Sequence, residues 1–475
     1  MNTAFKQALF YGVGIAVSKA MSLLMLPIIT QSLSVKEYGS LEMLLVFTVF
    51  STIIVGFGLS GALVRFVAYA KDKEETDRIV GNVITLICLV SVVSLVVLQI
   101  CAHGILHYLP SSVSMLDLRL IIITLSFDGL LGIPLTWLRL NDRAGMYLTM
   151  TLSKELIQVG LIFIFLSYEY GITGIVAAGA ITSVLYSCIL IYMQQSYIKP
   201  CVDPCLFKRL FLYGMPLVVS GIATFCVLGL DKWLLAKHAG VEDLAVYAIA
   251  LKFMMITSLI IQPYLLWWYP KRFIVLETVS GKEQTAYYSA VGVGIGFLCA
   301  YTVTIFGPLI IDYFLPPAYS EAKQYIPYLV AIVVVKNASE LMNVGCYVNE
   351  DNRIQMYIQL VCSVLAILLY LILIPIFGIY AALAVLFLTF SIRLLLFYFY
   401  SQRIVHINYP LRNIFVILFV TVIFAYFCLL IPQGWERLMF SAVSCFLLMN
   451  LYIKLKLLPN IFRLLNLRII RYGYQ

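Results

Sequence analysis

Apolar and polar positions alternate along this chain in long blocks, not residue by residue. Runs of about 20 apolar residues, enough to cross a bilayer as a helix, recur from Leu9 to Leu458 with short polar links between them. The blocks predict helices over 9–33, 41–63, 80–103, 118–140, 149–168, 171–193, 211–236, 244–269, 288–314, 325–348, 356–376, 379–400, 412–431 and 437–458. At about 34 residues per span plus link, the chain has room for about 14 such spans. Runs such as "LLVFTVFSTIIVGFGLSGALV" (44–64) are apolar on all sides. A membrane β-barrel would instead alternate every second residue in segments of about 10. Helices are then required, because lipid offers no partner to a backbone N–H or C=O.

Composition agrees with the pattern. Hydrophobic residues make up 63% of the chain and charged residues 12%, too little polar surface for a soluble protein of this length. The first run starts at Leu9, exceeds the about 7–15 residues of a signal-peptide core and is followed by no small-residue cleavage site. It is expected to be kept as the first span. The 11 cysteines form no C-x-x-C pair, and Cys88, Cys226, Cys362 and Cys428 lie inside apolar runs, where Cys acts as a small hydrophobe. Cys201 and Cys205 share one link without a second pair to complete a zinc site. No metal and no cofactor is expected.

The net charge of +9 raises the question of a nucleic-acid partner, and its distribution answers it. Alternate links hold most of the basic residues, from Arg65, Lys71, Lys73 and Arg78 to Lys454, Lys456 and Arg463. The other links carry Lys36, Arg119, Lys237, Lys323 and Arg437. That asymmetry follows the positive-inside rule, predicts both termini on the cytoplasmic side, and accounts for the charge without nucleic acid. No link is long enough to hold a soluble domain. Gly281-Lys282 is the nearest approach to a phosphate loop, but Leu276 and Glu283 occupy positions that need Gly and Ser/Thr.

Two stretches resemble each other. "YGVGIAVSKAMSLLMLPIITQSLSVKEYGSLEML" starts at Tyr11 and "YGMPLVVSGIATFCVLGLDKWLLAKHAGVEDLAVYAIALKF" at Tyr213. Read as a repeat, they divide the chain into six-helix bundles over 1–200 and 201–405, followed by two extra helices and a basic tail over 406–475. An even number of spans per half relates the halves by an axis along the membrane normal. The alternative is that Tyr-Gly at a helix start is a common interfacial anchor. Trp267-Trp268-Tyr269, at the end of the eighth run, reads as an interfacial aromatic belt.

Charges inside the runs are the candidate chemistry. Lys19, Asp128, Asp231, Lys232, Lys252, Lys336, Glu340 and Arg393 all fall within predicted spans. A charge at the bilayer centre costs about 2.5–3.5 kcal/mol, so such groups face a partner or a watery cavity. Lys336 and Glu340 are four apart and can pair on one helix face. Lys232 and Arg393 can reach an interface by snorkelling. Lys19 and Asp128 are the deepest. A polar, net-positive interior favours an anionic ligand, and a diphosphate suits several cations at once. Acidic sites can exchange a coupling ion, which makes Asp128, Asp231 and Glu340 the candidates for that role.

"LSVKEYGSLEMLLVFTVFSTIIVGFGLSGALVRFVA" (33–68) and "LDKWLLAKHAGVEDLAVYAIALKF" (230–253) resemble the first-to-second-span and seventh-to-eighth-span signatures of polysaccharide exporters, the Wzx-type flippases. Their superfamily also holds multidrug exporters and the lipid II flippase. The resemblance implies an all-α polytopic fold with two pseudo-symmetric bundles around a central cavity, in the bacterial inner membrane. It implies that undecaprenyl-diphosphate-linked oligosaccharide is moved between leaflets by alternating access, for O-antigen or capsule synthesis. A polysaccharide polymerase and a chain-length regulator are the partners it implies. Arg65 and the Asp231–Lys232 pair match signature positions. Lys19, Arg65, Lys232, Lys252, Lys336 and Arg393 are the expected substrate contacts. No enzyme activity is expected. The alternatives are a multidrug exporter of the same fold, which calls for a more acidic cavity, and a membrane-embedded sugar transferase or polymerase.

Overall fold

The computed structural model describes residues 12, 14, 17–110, 112–195, 203–348, 353–432, 434–455 and 457. Residues 17–24 are helical. After them come α1 (Leu26–Ser32), α2 (Val35–Gly56), α3 (Leu59–Ala68), α4 (Lys73–Leu106), α5 (Met115–Leu140), α6 (Ala144–Ser167), α7 (Gly171–Gln194) and α8 (Pro204–Leu228). The chain continues through α9 (Leu230–His238), α10 (Val241–Trp268), α11 (Lys271–Leu276), α12 (Gly281–Phe314), α13 (Ile326–Leu341), α14 (Arg353–Ile404), α15 (Leu411–Leu430) and α16 (Trp435–Lys454). Short 3-10 turns flank α13 at Pro317–Tyr325 and Val344–Tyr347. There is no strand among the described residues.

Eleven helices among the described residues, with α2 and α3 taken together, are long and apolar enough to cross a membrane. Three features separate that number from the fourteen expected spans. The start of the first span (residues 9–11, 13, 15 and 16) lies outside the described residues. The tenth span is only the 16 residues of α13, capped by a 3-10 turn. The eleventh and twelfth are fused in α14, whose 52 residues hold one non-helical position, Gly378, at φ 54° and ψ −128°. Cys362 Sγ lies 3.9 Å from the Thr389 carbonyl oxygen, 27 residues along the chain. A straight helix would separate them by about 40 Å, so the chain doubles back at Gly378 as two antiparallel helices. Only a residue without Cβ adopts that backbone easily.

Contacts group Met1–Ala248 with Ile367–Ala382, and Ile249–Ala366 with Leu383–Gln475. In the first unit α5 is the central helix, packed by α2, α3, α4, α6 and α7. Its core includes Leu59, Leu63, Val80, Val83 and Leu210. Helix starts are set by local chemistry. Ser34 and Glu37 form a capping box at α2, and Ser114 and Asp117 form one at α5. Asp203 caps α8 through the N–H groups of Cys205 and Leu206 and accepts from Arg78 at 2.5 Å. α8 runs antiparallel to α2, with Phe50 against Phe225 and Phe57 stacked on Phe211.

The resembling stretches share a local design. The helix over 17–24 is interrupted at Met25 before the short α1, and α8 is interrupted at Gly229 before the short α9. Each short piece is followed by a span, α2 or α10. The starts of those two spans touch. A Cβ on Gly39 would sit 1.9 Å from the Val241 carbonyl oxygen. Gly39→Ala is therefore expected to destabilise the protein by about 1–3 kcal/mol through overpacking against backbone. Gly160, inside α6, has nothing within 4 Å of its would-be Cβ. Gly160→Ala should be neutral or stabilise by about 0.5–1 kcal/mol. Thermal unfolding of the two detergent-purified variants checks the contrast, and equal midpoints would refute it.

In the second unit α12 packs on α11, α13 and α15, and α15 on α16. Gly292 lets α12 approach Tyr264 and Leu341, where an added Cβ would lie within 2.8 Å of either side chain. Small residues allow such close helix packing in lipid. Trp268 is fully buried in this core with Ala290, Leu341 and Tyr452. That corrects the belt reading of Trp267-Trp268-Tyr269. Trp268 stacks toward Tyr288 at 5.0 Å, and Tyr269 turns to Glu340, so aromatic packing within the unit holds these rings.

Candidate functional site

The expected charges fall into three groups. In the first unit, Asp128 on α5 accepts from Lys154 Nζ of α6 at 2.9 Å and from Ser183 Oγ of α7 at 2.7 Å. Asp128 is thus the anchor of a polar knot between three spans, more engaged than its isolation in the sequence implied. Next to Lys154, Glu155 faces Ser18 of the helical stretch over 17–24. Gln158 and Thr182 extend the knot by one turn. Lys19, beside Ser18, is half-buried, and among the described residues it has no ion pair. Lys154 and Glu155 were not among the expected charges. Their signal was present as two adjacent charges inside the apolar run 149–168.

The second group surrounds the break at Gly229. Asp231, 1% exposed, lies in the first turn of α9, where the positive end of the helix dipole favours a carboxylate. Tyr247 donates to its Oδ2 at 2.7 Å, while Oδ1 has no hydrogen-bond partner. Tyr370 donates to the Val227 carbonyl oxygen at 2.9 Å, one turn earlier on α8. Lys232 is half-buried. Arg65, on α3, is exposed and lies over the Tyr213 ring at 5.2 Å.

The third group belongs to the second unit. Glu340, at the end of α13, accepts from Tyr269 at 2.9 Å and lies 3.7 Å from Arg393 Nη1 of α14. The sequence pointed to Lys336 as its partner through helix spacing; the α14 cation and the Tyr269 hydroxyl hold its two oxygens. Lys336 and Lys252 are half-buried and each makes polar or electrostatic contact of its own. Arg272, missed because it lies just past the end of a predicted span, is the most enclosed cation of this group. Its Nη1 donates to Asn343 Oδ1 at 3.0 Å and to the Glu340 carbonyl at 3.3 Å. Rings of Tyr269, Phe273 and Tyr347 lie 4.8–5.1 Å from its Cζ. Burial pulls this guanidinium below its ordinary pKa, and Tyr347, Tyr269 and Glu340 oppose the shift. Burial likewise raises the Tyr409 hydroxyl, with the Arg272 charge opposing.

Among the described residues no group of three or more His, Cys, Asp or Glu side chains could hold a metal ion. The arrangement therefore offers cations and carboxylates inside membrane-spanning helices, suited to binding and releasing charge. The sequence matches the family described as "polysaccharide biosynthesis protein" over residues 4–271. The chain belongs to that family. No curated protein matches it in sequence. Among solved structures, this family member is similar to "Lipid II flippase MurJ, inward closed conformation", with a TM-score of 0.73 at 14% identity, covering 94% of this chain and 99% of that one. It is also similar to an inward-facing multidrug resistance MATE family transporter of the MOP superfamily, with a TM-score of 0.63 at 14% identity over 81% and 94% of the chains. A MOP superfamily transporter from Pyrococcus furiosus gives 0.59 at 13% identity over 84% and 95%. These likenesses establish the fold: a multi-pass, all-α membrane protein of the kind that flippases and exporters share.

Proposed function

We propose that the protein moves an undecaprenyl-diphosphate-linked oligosaccharide from the cytoplasmic to the periplasmic leaflet of a bacterial inner membrane by alternating access. Both termini then lie in the cytoplasm, and the product feeds a polymerase and a chain-length regulator making O-antigen or capsule. The observation that carries this reading is Lys19. A family member of flippase-type fold keeps a cation within its first span, where no described carboxylate neutralises it. A diphosphate headgroup supplies the missing charge, while the polyprenyl tail stays in lipid. Arg65, Lys232, Lys252, Lys336 and Arg393 are assigned as further substrate contacts. The moving bodies are assigned as 1–200 and 201–405, a division that follows the repeat, with 406–475 appended.

Among the three candidates for a coupling ion, hydrogen bonding sets an order. Asp128 and Glu340 each face a cation, Lys154 and Arg393, whereas Asp231, 1% exposed, has the Tyr247 hydroxyl on one oxygen and no hydrogen-bond partner on the other. Asp231 is the first to test.

The test uses cells lacking the protein. Complete lipid-linked oligosaccharide is expected to build up on the cytoplasmic leaflet and to clear when the wild-type chain is restored. If the complete unit is never made, the protein acts in synthesis and the transferase reading replaces this one. If the unit is made and crosses normally while cationic drugs accumulate, the exporter reading does.

A further inference from the structure

The outward stripe of α4 changes chemistry abruptly along its length. Leu89, Val93, Val96 and Ile100 are exposed, Ile100 by 76%, and their spacing of three to four residues places them on one helix face. An exposed apolar face on a helix long enough to cross a membrane suits lipid. The same face continues, by the same spacing, into His103 and His107, both exposed. His107 keeps helical backbone angles (φ −61°, ψ −25°), so the two histidines lie one turn apart on the same face.

Helix length gives the depth. The charged first turns, Lys73 to Arg78, mark one edge of the apolar layer. A hydrocarbon core of about 30 Å then takes about 20 residues from Ile79. His103 and His107 fall within roughly 15 Å beyond it, in and just past the headgroup layer.

A cation joins the two histidines. Gln99, one turn before His103, donates from Nε2 to the Arg119 carbonyl oxygen at 3.1 Å. That bond holds the Arg119 backbone of α5 against α4, and Arg119 is exposed. The neighbouring acid does not cancel this charge. Asp117 is 2% exposed and turns inward to the Ser114 N–H and the Thr173 hydroxyl. A concavity of about 470 Å³ opens in front of His103, Gly104, Leu106, His107 and Tyr108. Basic donors on a lipid-facing stripe, at headgroup depth, beside an open hollow, match the charge and position of one ligand.

We propose that His103, His107 and Arg119 bind the phosphate of a bilayer phospholipid whose acyl chains lie along the α4 stripe. Imidazole N–H and guanidinium groups donate to phosphate oxygens, and the exposed Leu and Val side chains contact the tails. The inference rests on the chain spanning a membrane and not on what it transports.

Native mass spectrometry of the full-length protein in detergent tests it, with added phosphatidylglycerol and with diacylglycerol of the same acyl chains as the phosphate-free control. Wild type should retain a bound phosphatidylglycerol that the H103A/H107A variant loses, an affinity drop of about tenfold or more. Arg119→Gln should weaken it in the same direction. Diacylglycerol retention should be equal in all three proteins, and an unchanged unfolding midpoint shows that the variants are folded. Millimolar inorganic phosphate should not displace the lipid. Equal phosphatidylglycerol retention in wild type and variant overturns the proposal. So does full competition by free phosphate, which would mean a soluble-anion site. So does Zn2+ uptake by the histidine pair with lipid retention unchanged, which would make it a metal site.

Discussion

Lys19→Ala is expected to cut leaflet transfer by about an order of magnitude or more while leaving the chain folded and inserted. A Lys within a span costs about 2.5–3.5 kcal/mol unless something offsets it. Asp128 does so for Lys154, at 2.9 Å, and Glu340 for Arg393, at 3.7 Å. Lys19 has no such described partner, yet it lies beside the Asp128–Lys154 knot through its neighbour Ser18. Removing it relieves the protein of a cost and deprives an anionic headgroup of a contact. The loss of one charge-assisted hydrogen bond, about 1.5–3 kcal/mol, corresponds to roughly 10- to 150-fold weaker binding. Lys19→Arg keeps the charge and should retain most activity. Null cells carrying each variant provide the readout: lipid-linked oligosaccharide on each leaflet, normalised to membrane-inserted protein. Wild-type transfer by the alanine variant would remove Lys19 from the headgroup path.

Much of this architecture was legible because lipid enforces a coarse rule. A residue run either can or cannot cross, and backbone satisfaction leaves helices as the answer. Arg353–Ile404 was read as two spans, and the contact between Cys362 and Thr389 bears that out. The breaks were less legible. The turn out of α2 uses Phe57 and Gly58, both at positive φ, and nothing in an apolar run distinguishes a glycine that breaks a helix from one that packs it. Burial was harder still. Trp268 looked interfacial because it ends a span, and hydropathy does not report which face of a helix end meets lipid and which meets protein. The charges show the same limit. Helix spacing proposed Lys336 for Glu340, but α14 brings Arg393 to it from more than fifty residues away in sequence. A one-dimensional rule sees neighbours at i+4 and is blind to a partner across a helix pair. Lys154 and Glu155 stand in the apolar run 149–168 and were not singled out. On a helix adjacent residues diverge by about 100°, and here each turns to a different span.

That geometry makes Arg272 the residue whose loss should cost the second unit most stability. It is 9% exposed and its partners converge from separate elements: the Glu340 carbonyl in the last turn of α13, Asn343 just after it, Tyr269 after α10, and Tyr347 in the 3-10 turn. Truncation to Ala removes a hydrogen-bonded buried charge, strips three rings of their cation, and leaves the Asn343 oxygen and the Glu340 carbonyl without a donor. Breaking such a buried set costs about 3–5 kcal/mol. Arg272→Lys should recover only part of that, since an ammonium cannot offer the planar fork that stacks between rings while bonding Asn343. The adjacent Lys271 is the internal control. It is exposed and lies over the Trp267 ring at 4.6 Å, so Lys271→Ala should stay within about 0.5–1 kcal/mol of wild type. Thermal unfolding of the three detergent-purified variants should rank Lys271→Ala near wild type, Arg272→Lys below it, and Arg272→Ala lowest by several degrees. If Arg272→Ala melts with Lys271→Ala, the aromatic and amide partners around that guanidinium are not what ties α10, α13 and the following turn together.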